Sequence, residues 1–431
     1  METKEKNSAL ALYENLEGIT KKFLRVCKGM KGYVLDNLSL YLKKEVVFRE
    51  KLIEEENAMS EKEEREGFST QEFMEYYNYL NLEELIEETD EIVKIITYSM
   101  IVSLVSAFDY FVLSLLEKVS NSKIGVAKFQ QTKISYEEIE SCSNFESVKK
   151  YYTKKYLDEL FRKNHDDIFE EIKNKFHIED IKNFDEYKQL LYITEIRNLI
   201  VHNDGFKSIQ LKNNITKYEL QGIKIKFSFD KKCRLDLSVD SILKVLDVFQ
   251  IIALKIHNKF IVQFFNSDEG IIDKSSRFLT DVCLQRYNQK HPEIGLEIFD
   301  TLLKNAQKLD DKYLYVINKA MCMKALGDKG YEELINSLPW DKADNRYILA
   351  KYLLLEDLDK AMDCIKLEDK EEMDLAFRQW PLCKKLVKTS NFKKYYLETY
   401  GEEFKSFKKE WTATVEEYNT RRKSKVASTE K

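Results

Sequence analysis

The chain has 431 residues, 43% of them hydrophobic and 34% charged, which is enough for two or three domains with packed cores. Its formal net charge of −5 excludes a global electrostatic attraction to nucleic acid, so any RNA contact would have to be local. With only 12 glycines and 3 prolines, and long stretches rich in Leu, Glu and Lys, the composition predicts a mainly α-helical protein.

The N-terminal region, residues 1–90, is predicted to be helical and strongly charged. Its acidic run EEENAMSEKEEREGF, residues 54–68, is interpreted as a solvated helix end or a loop. The first residues lack the apolar core of a signal peptide, and the 7 cysteines form no Cys-x-x-Cys pair. We therefore expect a cytoplasmic protein with reduced, buried cysteines and without a zinc site.

Residues 95–116, IITYSMIVSLVSAFDYFVLSLL, are long and apolar enough to span a membrane. Asp109 interrupts them, and a charge there would be costly in lipid. Four serines share one arc of this helix and predict close packing by another helix: Ser99, Ser103, Ser106 and Ser114. We favour a buried core helix over a membrane span and expect no membrane partner.

A more polar and less periodic segment follows, residues 121–185, and is predicted to be an insertion between two core helices. His165 lies in this segment, within KNHDD, and is interpreted as a surface residue. The next helix is predicted over residues 185–202. It should end at Asn203-Asp204-Gly205, where Gly205 suits the left-handed conformation that closes a helix.

The β signal is confined to residues 217–239, where apolar and polar residues alternate around Gly222 and around residues 230–232. This pattern predicts a small β-meander. A second strongly apolar helix is predicted over residues 241–265. The sequence NSDEG, residues 266–270, then breaks the pattern and is a candidate domain boundary.

Beyond this boundary, residues 271–420 contain three similar helix-sized units: PEIGLEIFDTLL, DKGYEELINSL and DLDKAMDCIKL. Each contains a pair of adjacent apolar residues, and these pairs recur at steps of 36 and 30 residues: Ile298-Phe299, Leu334-Ile335 and Cys364-Ile365. The spacing resembles a degenerate tetratricopeptide (TPR) array, in which stacked helix pairs form an α-solenoid with an open surface. An unrelated helical bundle is the alternative. The basic tail, residues 421–431, is predicted to be solvated.

The predicted helix at 185–202 carries polar groups beside a core-facing apolar stripe. Glu195, Asn198 and His202 share one face of it, at spacings of three and four residues. Arg197 lies about 140° from His202 on a regular helix. One copy therefore does not direct both side chains at one small ligand. We expect either an unwound last turn or two copies of the helix facing each other.

The motif Arg197-Asn198-x-x-x-His202 resembles the Arg-x4-His signature of HEPN domains. The order of elements also resembles that family over residues 91–265: an apolar helix with an embedded acid, a variable insertion and the motif helix. The resemblance implies a metal-independent endoribonuclease without a cofactor, acting on RNA such as tRNA as a homodimer or higher oligomer. It also implies a toxin or anti-phage role in abortive infection. The helical repeats would then offer a binding place for a protein trigger or inhibitor.

The residue types fit this chemistry. RNA supplies its own nucleophile, the 2′-hydroxyl, and a histidine such as His202 can exchange the required proton near neutral pH. The Arg197 guanidinium can brace phosphoryl oxygens while negative charge develops on them. Asn198 could hold the phosphate or orient His202, Asp109 could orient Arg197, and Glu195 is placed beside His202 by wheel geometry. We expect a cyclic phosphate and a 5′-hydroxyl as product ends.

Structural interpretations of the same residues stay open. His202 could only stabilise the dipole at a helix C-terminus, and Arg197 could form an ion pair with Asp109 or Glu195. At the level of function, the alternatives are a non-catalytic HEPN dimerisation and protein-binding scaffold, or an inhibitory partner of a nucleotidyltransferase.

Overall fold

A computed structural model describes residues 2–60, 70–122, 135–179, 181–220 and 223–404. These residues are mostly helical, which confirms the predicted mainly α class. The chain divides into two compact units, residues 1–277 and 278–431. The predicted boundary at 266–270 lies a few residues earlier, and spans the turn before the helix Glu269–Asn288 and the first two residues of that helix.

Unit 1 is a helical bundle. Its helices are α1 (Glu2–Tyr33), α2 (Ser39–Ser60), α3 (Thr70–Ser120), α4 (Tyr136–Glu140), α5 (Phe145–Leu160), α6 (His165–Phe176), α7 (Tyr187–Asn203), α8 (Ile209–Lys217), α9 (Val239–Phe265) and the first part of α10 (Glu269–Asn288). A π-helical turn, Val34–Leu38, joins α1 to α2, and a 3-10 turn, Ile181–Asn183, precedes α7.

The core of unit 1 forms where α1, α3 and α9 meet. Phe23 of α1 stacks on Phe111 of α3 with ring centroids 5.0 Å apart. Phe108, one turn earlier on α3, meets Phe249 of α9 edge to face at 5.1 Å. These aromatic pairs add packing energy to the apolar area that they bury. The N-terminal helix is therefore part of the same core as the elements predicted for residues 91–265.

Helix α3 contains the segment that resembles a membrane span. Among the described residues it is the helix long and apolar enough for one, and half of its most apolar window is buried within the chain. The prediction that its serine stripe is covered by another helix is wrong for the single chain, because Ser99, Ser103 and Ser106 are exposed. The neighbouring helices pack on other faces of α3, where Leu104 and Phe108 are buried.

The predicted β-meander is reduced to one hairpin in the described residues. Strands β1 (Ser228–Phe229) and β2 (Leu235–Asp236) pair antiparallel, and Gly222 lies outside those residues. The alternating pattern nevertheless corresponds to a buried face of this segment, since Ile225 and Phe227 are buried. Alternation places side chains on one face, but a ladder also needs a neighbouring strand.

The predicted insertion, residues 121–185, covers the core on one side. Its helix α5 contacts α3, and α6 contacts α7. Leu157, Ile168 and Phe169 are buried there. Residues 123–134 and 180 of this segment lie outside the described part of the chain. So do residues 61–69 of the N-terminal region, residues 405–420 of the predicted repeat region and the whole tail from 421 to 431.

Unit 2 begins with the second part of α10 and is helical throughout most of its described residues. Its further helices are α11 (Pro292–Asn305), α12 (Leu309–Ala325), α13 (Tyr331–Asn336), α14 (Asn345–Leu355), α15 (Leu358–Ile365), α16 (Lys370–Gln379) and α17 (Ser390–Tyr400), with 3-10 turns at Pro381–Lys384 and Leu386–Lys388. Helices α11, α13 and α15 coincide with the three predicted units. Successive helices contact each other, as in α11 with α12 and α14 with α15.

Cysteine burial follows the prediction at five of the seven positions. Cys142 is only partly buried and Cys233 is exposed, which corrects the expectation that all seven lie in the core. Cys233 occupies the hairpin turn with a left-handed φ of 61°.

Candidate functional site

Helices α3 and α7 and the start of α6 line a cleft of about 330 Å³. Asp109 of α3 lies on one wall, and Glu195, Arg197 and Asn198 of α7 lie on the other. His165, the first residue of α6, completes the lining. Four of the five predicted site residues therefore meet at one cleft. They meet because α3 and α7 pack side by side.

Among the residues that the structure describes, the Arg197 guanidinium forms no ion pair. Its Nη1 donates to Asn198 Oδ1 at 3.1 Å, and its buried Nε has no hydrogen-bond partner in the described part of the chain. Within the described ranges, no carboxylate lies within ion-pair distance of it. Asp109 and Glu195, the two acids considered as partners, are engaged elsewhere. The predicted orienting contact from Asp109 to Arg197 is thus absent from the described residues of the single chain.

Asp109 is hydrogen-bonded to His165 instead, with Oδ1 and Nε2 2.7 Å apart. The His165 side chain is only 9% exposed, so its interpretation as a surface residue is wrong. The sequence does contain a signal for this burial. His165 begins the apolar stripe of α6 that continues through Ile168, Phe169 and Ile172, at helical spacing.

Glu195 accepts a hydrogen bond from Asn214 Nδ2 of α8 at 2.7 Å. It also lines a second cleft of about 310 Å³, together with Asn198 and His202. His202 is exposed, and no hydrogen bond to its side chain occurs in the described part of the chain. Glu195 therefore has Asn214, not His202, as its hydrogen-bond partner.

Arg197 and His202 face different clefts in one chain, as the helical wheel predicts. Helix α7 stays regular through His202 and ends at Asn203, so its last turn does not unwind. Asn198 and Glu195 form the wall shared by the two clefts. The division follows from the angular separation of the two side chains on a straight helix.

The end of α7 is anchored to the hairpin and to α3. Asp204 and Gly205 both adopt left-handed conformations, with φ of 47° and 79°. The Arg234 guanidinium contacts Asp204 and also Glu91 of α3, the latter at 2.9 Å. The Tyr98 hydroxyl donates to the Leu235 carbonyl at 2.7 Å. These contacts give the Asn-Asp-Gly exit of the motif a structural role.

The cleft with Arg197 has mixed charge. Arg162 and Lys163 contribute positive groups to its lining, and Asp166 contributes a negative one. Burial raises the pKa of Asp166, but hydrogen bonds from Tyr187 and Lys182 outweigh burial and lower it overall. Asp166 is therefore ionised at neutral pH and neutralised locally by Lys182, whose Nζ lies 2.9 Å away.

In the described residues, no group of three or more His, Cys, Asp and Glu side chains is arranged to hold a metal ion. Comparison of the chain with family models, with curated proteins and with solved structures finds no match to any of them.

Proposed function

We propose that the chain is a HEPN-type endoribonuclease that cleaves RNA by attack of the 2′-hydroxyl and needs no metal. Arg197 carries this proposal. Its guanidinium lines a cleft, has one neutral hydrogen-bond partner and has no carboxylate partner in the described residues. Asp109 and Glu195, which could have neutralised it, are bound to His165 and Asn214.

A partly buried guanidinium that has no carboxylate partner in the described residues favours an anionic ligand. A buried donor without an acceptor costs about 1–3 kcal/mol, and a phosphate could remove that cost by accepting from the guanidinium. Arginine presents a planar pair of donors that matches two phosphoryl oxygens. Asn198, which already contacts Arg197, lies where it could hold a third oxygen.

The division of Arg197 and His202 between two clefts supports a homodimer, in which the Arg197 cleft of one copy meets His202 of the other. The uncovered face of α3 is a suitable contact surface. It combines the exposed serines with Ile95, 61% exposed, and Tyr110, 58% exposed. Small residues allow close approach of two helices, and the apolar side chains would gain by burial.

In the cell, we propose a toxin or anti-phage role in abortive infection. A harmful ribonuclease must be restrained, and unit 2 offers a surface for that purpose. We assign its helix pairs to a TPR-like array that binds a protein trigger or inhibitor. Leu367, 79% exposed beyond α15, is a candidate contact. If an inhibitor binds there, Leu367→Glu should make expression of the chain more harmful, and only while Arg197 is intact.

The test of the proposed function uses purified chain with tRNA or total RNA in EDTA. Wild type should cleave and leave cyclic-phosphate and 5′-hydroxyl ends, whereas Arg197→Ala and His202→Ala should not. Arg25→Ala is the matched control, because Arg25 is exposed on α1 and lines neither cleft. Replacing the ribose at the mapped cleavage site by 2′-deoxyribose should abolish cleavage there.

A non-catalytic scaffold is the second candidate, favoured by exposed apolar residues around the motif. Ile209 is 81% exposed and Val201 is 47% exposed. If wild type cleaves neither RNA preparation, and if wild type and the two variants are equally harmless in expressing cells, the ribonuclease is excluded. Retained self-association would then support the scaffold.

A further inference from the structure

His165 and Asp109 form a carboxylate–imidazole pair inside the cleft that contains Arg197. Asp109 comes from α3 and His165 from the start of α6, with Oδ1 and Nε2 2.7 Å apart. The two residues are separated by 56 positions in the chain, so the pair is created by packing alone. His165 packs on Phe169 with ring centroids 6.5 Å apart, which restricts its orientation.

We infer that His165 is the general base that activates the 2′-hydroxyl, and that Asp109 is its positioning residue. The inference rests on the proposed function and deepens it. The sequence predicts that His202 reaches the ligand of Arg197 only through an unwound last turn of the helix or from a second copy of the chain. Here the base and the phosphate-binding guanidinium lie in the same cleft of one chain.

The contact with Asp109 defines which ring nitrogen reacts. A carboxylate only accepts hydrogen bonds, so Nε2 of neutral His165 carries the proton. Nδ1 then holds the lone pair, and no hydrogen bond to Nδ1 occurs among the described residues. Asp109 would also stabilise the imidazolium that forms after proton transfer.

In the proposed cleavage reaction, one histidine removes a proton and a second histidine donates one. Nδ1 of His165 takes the proton of the 2′-hydroxyl, and the 2′-oxygen forms a bond to phosphorus. The bond between phosphorus and the 5′-oxygen breaks with its electron pair. The 5′-oxygen takes a proton from the imidazolium of His202 of the second copy, which leaves a cyclic phosphate and a 5′-hydroxyl. Arg197 binds the phosphoryl oxygens throughout, and solvent restores both histidines.

The first test compares single-turnover cleavage at saturating RNA. Gln at 165 can still donate to Asp109 but cannot accept a proton near neutral pH. His165→Gln should therefore lower the rate constant by about 100-fold or more, without changing the RNA concentration for half-saturation. Added imidazole should restore part of the activity of His165→Ala. The matched control is His177→Asn at the exposed, left-handed end of α6, which should cleave normally.

The second test separates the base from the acid. An oligoribonucleotide with sulphur in place of the 5′-bridging oxygen at the cleavage site has a leaving group that needs no proton. His202→Ala should cleave it at nearly the wild-type rate, whereas His165→Gln should still be slow. If both variants recover equally on this substrate, His165 is not the base.

The outcomes distinguish this inference from the proposed function. If His165→Gln cleaves RNA at the wild-type rate while His202→Ala does not cleave it, the inference is overturned and the proposed ribonuclease function stands. A wild-type chain that is inactive on RNA and harmless in cells overturns both. If His165→Gln melts well below wild type, Asp109→Asn replaces it, since that side chain is 36% exposed. Asp109→Asn should lower kcat with KM unchanged, and an unchanged kcat overturns the inference.

Discussion

Arg234 binds the carboxylate of Asp204 through Nη2, at 3.2 Å and 3.1 Å from the two oxygens. Asp204 is the residue directly after α7, and Arg234 precedes strand β2. The same guanidinium reaches Glu91 of α3 at 2.9 Å. One side chain thus joins the end of the motif helix, the hairpin and α3.

Replacing this arginine should loosen the end of α7. Arg234 has a side chain only 17% exposed, but both of its acidic partners face solvent, so we expect Arg234→Gln to cost about 1–2 kcal/mol. Urea unfolding measures this cost. Arg49→Gln is the control, because that side chain is 50% exposed in its ion pairs and should cost less than about 0.5 kcal/mol. Equal costs would contradict the anchoring role.

Arg197→Met should separate activity from stability. The arginine Nε is buried and has no acceptor among the described residues, and methionine keeps most of the apolar stem while it removes that donor. We expect RNA cleavage to be lost and the free energy of unfolding to be unchanged or raised by up to about 1 kcal/mol. Urea unfolding and cleavage of the same preparation provide the measurement. A marked loss of stability would indicate that Arg197 has a structural role.

Gly205 should not tolerate a side chain. Its φ is 79°, and a Cβ would collide with the Tyr98 hydroxyl. We expect Gly205→Ala to destabilise the protein by about 2 kcal/mol or more, from backbone strain together with the displaced tyrosine. Gly18→Ala is the matched control within α1, because no atom of the described residues lies within 4 Å of a Cβ added there. It should stabilise by about 0.5–1 kcal/mol in the same denaturation assay.

His257 should make stability depend on pH. It is fully buried on α9, between Thr20 Oγ1 at 3.0 Å and Ser275 Oγ at 3.4 Å. Burial lowers the pKa of His257 to about 4, with Glu17 opposing this shift and Lys21 adding to it. The usual pKa of histidine is near 6.5. Between this pH and about pH 4, the unfolded chain therefore binds a proton at His257 that the folded chain does not bind.

The sign of the effect follows from this difference. The contribution of His257 to the free energy of unfolding is complete above about pH 6.5. As the pH falls from 6.5 to 4, this free energy decreases by up to about 1.4 kcal/mol per pH unit. His257→Gln should be less stable at pH 7 but should show a shallower decline over that interval. Urea unfolding at several pH values tests this, with the exposed His177→Asn as control. An unchanged slope in His257→Gln would assign the decline to other groups.

Much of the fold could be predicted from local patterns. The spacing of apolar residues predicts α7 and α9 to within two residues at each end, and the three units of residues 271–420 coincide with helices. The angular separation of Arg197 and His202 could also be predicted, because it depends only on helix geometry. The hairpin was predicted too large, since alternation identifies a face and not a partner strand.

The sequence by itself determined the helices, their apolar faces and the residues of the motif, because helical periodicity is a property of neighbours along the chain. Only the tertiary structure decided what those residues contact. It paired Asp109 with His165, left Arg197 without a carboxylate partner in the described residues, and exposed the serine face of α3. These outcomes depend on how α3, α6 and α7 pack, and contacts between distant segments have no signature in local spacing.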